Sequence, residues 1–311
     1  MIRVLLPLAL CLTAFAQVKI TTQGPAEVAV EIDGKPFTVF YAGPETTKPY
    51  LHPLRSASGK AITRFYPMEN VEGETKDHIH HRGLWFTHGD VNGLDFWSND
   101  PTQQGPKKGK VVLKQMGKLT SGAKTGSIAA SFEWVTSEGK PLLREDRTMT
   151  FYSHPTLRIV DLDVTFTGIE KAHFGDTKEG FFALRLKDPL IGRRSGKMVS
   201  ADGRVGEKQV WGKPSPWVDY YGQLDGETLG VAILDHPTNP KHPTHWHSRD
   251  YGLFAANIFG ERDFYNDKSR DGGRTLEPGQ KWRFRYRVII HPGDTESANI
   301  KGLFQEFAKV K

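Results

Sequence analysis

Near the C-terminus, Trp282-Arg283-Phe284-Arg285-Tyr286-Arg287-Val288-Ile289-Ile290 alternates apolar and cationic side chains. Successive residues of an extended chain point to opposite faces, so Trp282, Phe284, Tyr286, Val288 and Ile290 share one face while the three arginines share the other. Such a segment is stable only as a strand with one face on a core and a solvated or salt-bridged row outside. Leu157 to Thr167 repeats the pattern, with Val160, Leu162, Val164 and Phe166 inward. Gly126–Thr136, Glu145–Tyr152, Gly180–Lys187, Gly230–Leu234 and Tyr251–Phe259 read as further strands. Helical periodicity is confined to Thr295–Val310, where Ile300, Leu303, Phe304 and Phe307 fall at three- and four-residue spacing.

Asp33-Gly34, Glu138-Gly139, Asp202-Gly203, Asp225-Gly226, Pro278-Gly279 and Pro292-Gly293 are turn pairs between these runs. There is no repeat of fixed period, which argues against a propeller or solenoid. The expectation is an all-β protein: one large antiparallel β-sandwich over residues 17–311, with a short C-terminal helix. Residues 1–16 read as an export signal. Arg3 is the basic end, Val4 to Phe15 the apolar stretch, and Ala14-Phe15-Ala16 the cleavage site, which places the protein in the periplasm or outside the cell. No later run approaches the roughly 20 apolar residues of a membrane-spanning helix.

Composition removes several chemistries. Cys11 is the single cysteine and falls in the signal, so the mature chain has no disulfide, thiolate ligand or cysteine nucleophile. The formal charge of +6 is dispersed, without the lysine-rich tract of a nucleic-acid binder. No G-x-S-x-G elbow, P-loop or G-x-G-x-x-G fingerprint is present.

The functional signal lies in histidine. Of twelve histidines, eight fall in two aromatic-flanked stretches, Asp77-His78-Ile79-His80-His81-Arg82-Gly83-Leu84-Trp85 with His88, and Asp235-His236 with His242, His245, Trp246 and His247. Two such clusters suggest two walls of one polar site. In an extended segment His78 and His80 share a face and His81 takes the other; the same rule pairs His245 with His247.

The segment Thr275-Leu276-Glu277-Pro278-Gly279-Gln280-Lys281-Trp282, followed by the alternating strand, is similar to the close of galactose-mutarotase-like supersandwich domains. The set His78–Trp85, Glu179-Gly180-Phe181-Phe182, Trp217–Gly222 and Asp235-His236-Pro237 resembles a bacterial family of exported proteins labelled "methane oxygenase PmoA", with His81-Arg82-Gly83 its most specific part. The membrane subunit sharing that label needs transmembrane helices, which this sequence lacks, so methane oxidation is not carried over. The resemblance implies a supersandwich fold and a carbohydrate-processing role in an exported compartment. Supersandwich epimerases as a class move protons on sugar oxygens with histidine and glutamate. Their usual asparagine-histidine motif is not found here.

The residues themselves nominate His78, His80, His81, Glu179 and His236 for acid-base work, Glu179 because the apolar Phe181-Phe182 run beside it would raise its pKa. Arg82, Trp85, Trp217, Tyr221, His245, Trp246 and His247 are candidates for holding a sugar, through aromatic faces, hydrogen bonds and a bidentate guanidinium. Trp97, Trp211 and Tyr220 are further aromatic platforms. A divalent metal on His78, His80 and the second cluster is compatible with these donors but not required, and no standard zinc spacing occurs. The expected function is action on a sugar or glycan by His/Glu acid-base chemistry, as an epimerase, lyase or glycoside-cleaving enzyme. The alternatives are a non-catalytic glycan-binding module and a metal-dependent lyase or hydrolase.

Overall fold

The computed structural model describes residues 17–311; the expected export signal lies outside them. Two eight-stranded antiparallel sheets face each other. The first runs β1 (Val18–Gly24), β2 (Glu27–Ile32), β3 (Lys35–Tyr41), β4 (Tyr50–His52), β5 (Leu84–His88), β11 (Gly180–Arg185), β16 (Leu253–Asn257), β15 (His245–Ser248). The second runs β12 (Lys197–Ser200), β13 (Trp217–Leu224), β14 (Glu227–Asp235), β18 (Lys281–Pro292), β9 (Arg158–Gly168), β8 (Pro141–Tyr152), β7 (Thr125–Val135), β6 (Lys110–Thr120). A small pair, β10 (Ala172–Phe174) and β17 (Arg274–Leu276), closes one end. The all-β sandwich expected from alternation is therefore present.

Alternation sets the interior. Phe284 of β18 meets Phe181, Phe86 and Phe166 with ring centroids 4.9, 6.0 and 5.7 Å apart, so the two sheets interdigitate through aromatic side chains. One ion pair is buried among them. On the inward face of β8, Arg147 Nε donates to Glu145 Oε1 at 2.6 Å, and Trp134 Nε1 donates to the other carboxylate oxygen at 2.8 Å. Neither charged side chain is more than 3% exposed.

The outward arginines of β18 are bridged rather than free: Arg283 pairs with Asp163 and Arg287 with Asp161 on β9. The C-terminal helix (Ile300–Phe307) is capped by Asn299 and buries Ile300 and Phe307 against Trp217, Leu234 and Ile289 on the outer face of the second sheet. No helix among the described residues is long and apolar enough to cross a membrane.

On the first sheet, cross-strand register carries one row of side chains over its outer face: Tyr41, Tyr50, Trp85, Ala183, Ala255 and His247. Their sequence neighbours Leu84, Phe86, Phe182, Leu184, Phe254 and Ala256 point the other way, into the sandwich core. Two alanines in mid-row leave room between the tryptophan and the histidine.

Candidate functional site

Over that row lies the first histidine cluster, and it is a turn rather than an extended segment. His78 has φ 45° and its carbonyl accepts from His81 N at 2.9 Å. The expected alternation of His78, His80 and His81 therefore fails, because the turn folds His78 back over His81. Their rings stack at 4.8 Å with planes 12° apart. The stack continues in both directions, from His78 to Tyr251 (4.9 Å, 5°) and from His81 to Trp85 (5.2 Å, 24°). Four parallel rings thus run from the half-buried Tyr251 down to the sheet.

Two buried arginines hold the turn. Asp77 Oδ1 accepts from Arg64 NH1 at 2.5 Å and from Arg185 NH2 at 2.6 Å, while Arg64 NH2 also donates to the His78 carbonyl. Gly83 ends the segment at φ 52°, where a Cβ would collide with the Leu51 carbonyl of β4. This accounts for glycine after His81-Arg82. Gly83→Ala is expected to lower stability by about 1–3 kcal/mol through left-handed strain and collision, read as a shifted denaturant midpoint.

Hydrogen bonds fix the tautomers. Arg185 NH1 lies 3.2 Å from His81 Nδ1, and a guanidinium only donates, so the His81 proton resides on Nε2. Burial, followed by His80 and Arg185, holds His81 well below the usual imidazole range. His247 has the opposite tautomer: Nδ1 donates to the Lys178 carbonyl at 2.7 Å, leaving the Nε2 lone pair free. Burial lowers its pKa to about 4 and that of His80 to about 3. Tyr251 is raised to about 12 by burial, so its phenol stays protonated. The negative charge of Glu179 adds to the rise at Tyr251 and opposes the fall at His247.

These shifts carry a pH signature. His52, His80, His88 and His247 have folded-state pKa values of about 4, 3, 4 and 4, below the usual 6.5. The unfolded chain therefore binds more protons between about pH 6.5 and 4, and stability falls as pH drops through that window. Thermal melts are expected to give a Tm that is flat above about pH 7 and declines steadily below 6.5. A Tm unchanged down to pH 4.5 would contradict the buried neutral imidazoles.

The remaining nominated residues separate. His80 and His81 meet at 4.5 Å between centroids. Glu179 is one-third exposed and accepts from Lys178 Nζ at 2.7 Å. Arg82 is bound to Asp100 through Nε and NH2, at 2.9 and 2.5 Å, which ties up that edge of its guanidinium. His245 shares the outer face with His247 and stacks on Phe264 at 5.6 Å, with Nε2 on the Tyr265 hydroxyl. Trp246 points into the core and donates to the Ser215 carbonyl, so it is no platform.

His236, Trp217 and Tyr221 belong to the second sheet. His236 Nε2 contacts the Val310 carbonyl and Arg285, while Trp217 packs under the C-terminal helix. Trp217 and Tyr221 border a cavity of about 480 Å³ with Thr295 and Asn299. They cannot join the first cluster, because the chain crosses from one sheet to the other between Asp235 on β14 and His245 on β15. A cavity of about 670 Å³ also lies on the second sheet, but its Arg144, Asp146, Asp163 and Arg283 are already paired and no aromatic ring lines it. Sequence reasoning missed Arg64, Arg185, Tyr251 and Lys48. Lys48 is fully buried, donates to the Trp97 and Asn99 carbonyls, and is lowered by burial to about 7. Among the described residues no three His, Cys, Asp or Glu side chains are placed to hold a metal ion.

The outer face of the first sheet thus carries a polar layer with neutral histidines of opposite tautomer. The chain belongs to a family of unknown function, DUF6807, which matches residues 27–305. No curated protein matches it in sequence. Among solved structures it is similar to an α-galactosidase from Lactobacillus brevis (10% identity, TM-score 0.43, 85% of this chain and 38% of that one). It is also similar to heparan sulfate lyase HepC from Pedobacter heparinus (10%, 0.40, 86% and 34%). A third is galactose 1-epimerase from Lactobacillus acidophilus NCFM (9%, 0.37, 89% and 100%). The chain spans little more than a third of the first two.

Proposed function

We propose that this is an exported carbohydrate-active protein that binds a sugar on the outer face of the first sheet and moves a proton there between His247, Tyr251 and a sugar oxygen or ring carbon. The observation that carries the reading is the single row joining the Trp85–His81–His78–Tyr251 stack to His247 across Ala183 and Ala255. Three strand spacings separate Trp85 from His247, about 14 Å between backbones, a span suited to a sugar ring and its substituents.

Each group has a chemical role. The free Nε2 of His247 accepts a proton, with Glu179 nearby to stabilise the imidazolium that forms. The protonated Tyr251 phenol is the complementary donor. His81, neutral with its proton on Nε2, polarises an oxygen without transferring its own proton. Trp211, T-shaped to His247 at 6.3 Å, adds an aromatic surface beside the base.

Incubation with a panel of aldoses, uronic acids and glycosides, followed by proton NMR, tests the reading. One substrate class is expected to show anomeric interconversion, an unsaturated product or a cleaved glycoside. Tyr251→Phe should slow it by at least about tenfold. Binding without turnover across the whole panel would sink the catalytic reading and leave a glycan-binding module.

A further inference from the structure

Resting on that reading of the site, we infer that the sugar it takes is anionic, with a carboxylate or sulfate group received by N–H donors gathered around His81. Buried polar groups in folded proteins nearly always find a partner, so a cluster of exceptions marks where something is meant to bind. Three such exceptions surround one ring. Trp85 Nε1, Trp97 Nε1 and Arg185 Nε are all buried without a hydrogen-bond partner. Trp85 stacks on His81 at 5.2 Å, Trp97 meets it edge-on at 5.9 Å, and Arg185 NH1 is bonded to its Nδ1.

All three atoms are donors that cannot accept, and His81, with Arg185 on its Nδ1, adds an Nε2–H donor beside them. A neutral sugar hydroxyl both gives and takes, and would leave its own hydrogen facing N–H groups. An oxyanion only accepts, and hydrogen bonds to a charged acceptor are about twice as strong as neutral ones. The nearby carboxylates do not already fill this role. Asp77 Oδ1 is shared by two arginines and its Oδ2 lies on His78, while Glu74 is taken by the Phe65 and Tyr66 amides. Asp188 Oδ1 is an unpartnered buried acceptor as well, but its other oxygen is pinned by Thr75 on the covering loop. Arg64 and Arg185 share the single Asp77 Oδ1, and Lys48 bonds only to carbonyls.

Calorimetric titration of the full-length mature protein with glucuronate, galacturonate, N-acetylglucosamine 6-sulfate, glucose and galactose is the test. The expected result is at least about tenfold tighter binding of an acidic sugar than of its neutral counterpart. Preference between the uronates and the sulfated sugar identifies which oxyanion the site is built for. Trp85→Phe, which keeps an aromatic face but loses the indole N–H, should weaken the acidic ligand at least about tenfold more than it weakens neutral sugars. Equal affinity for acidic and neutral sugars overturns the anionic inference while leaving the carbohydrate reading intact. Absence of binding by every sugar overturns both, and because these comparisons use the unsubstituted protein they do not depend on the variant folding.

Discussion

Replacing His247 with glutamine lowers turnover by about two to four orders of magnitude while sugar affinity stays within a few-fold. The argument rests on the tautomer. The Lys178 carbonyl takes the Nδ1 proton at 2.7 Å, so the only basic lone pair of His247 is on Nε2, facing no protein partner among the described residues. Glutamine keeps a polar group of similar reach but cannot take up a proton near neutral pH. The rate of the unsubstituted protein should be level across pH 6–8, because burial lowers the imidazole pKa to about 4 and it does not titrate there. His245→Gln serves as the contrast. That residue sits at the sheet edge on Phe264 and Tyr265, and its loss should change turnover far less.

Glu145→Ala is expected to cost about 3–5 kcal/mol of folding free energy, the second large effect. It strips the carboxylate from Arg147 and from Trp134 Nε1 inside the sandwich, where Arg147 already has one unpartnered nitrogen, NH2. The positive charge left behind lies 5.2 Å from the Phe132 ring, with no second carboxylate bonded to it. Replacing both partners with leucine and methionine should recover most of the loss, since the desolvation of two charges disappears with them. Urea unfolding of the single and double variants measures this. A single variant within about 1 kcal/mol of the parent would mean that the pair is hydrated in solution.

Where the sequence has a strong period, the fold could be read directly. β18 and β9 have the alternating registers expected of Trp282–Ile290 and Leu157–Thr167, and the C-terminal helix occupies Ile300–Phe307 inside the expected Thr295–Val310. The pairing of His245 with His247 on one face also follows from period two. The first histidine cluster was less legible. Without glycine or proline between His78 and His81, nothing local announced a turn, and the left-handed His78 is set by Arg64 and Asp77 rather than by its own preference. His236 was grouped with His245 by proximity in sequence, but the intervening chain changes sheets. Arg185 carried a signal that went unused: an arginine closing the apolar run Phe181-Phe182-Ala183-Leu184 must find buried partners, and it finds Asp77 and His81. Tyr251 had none, because its role depends on a loop packing over a distant turn.

The central claim is that one face of the first sheet, and not the cavity under the C-terminal helix, receives the sugar. Histidine-selective nitrogen NMR during titration with the tightest-binding sugar tests it most directly. The imidazole signals of His78, His81 and His247 are expected to move together and saturate, while those of His236 and His242 stay fixed. Movement of His236 or His242 with His81 and His247 unchanged would place the ligand on the second sheet and contradict the account.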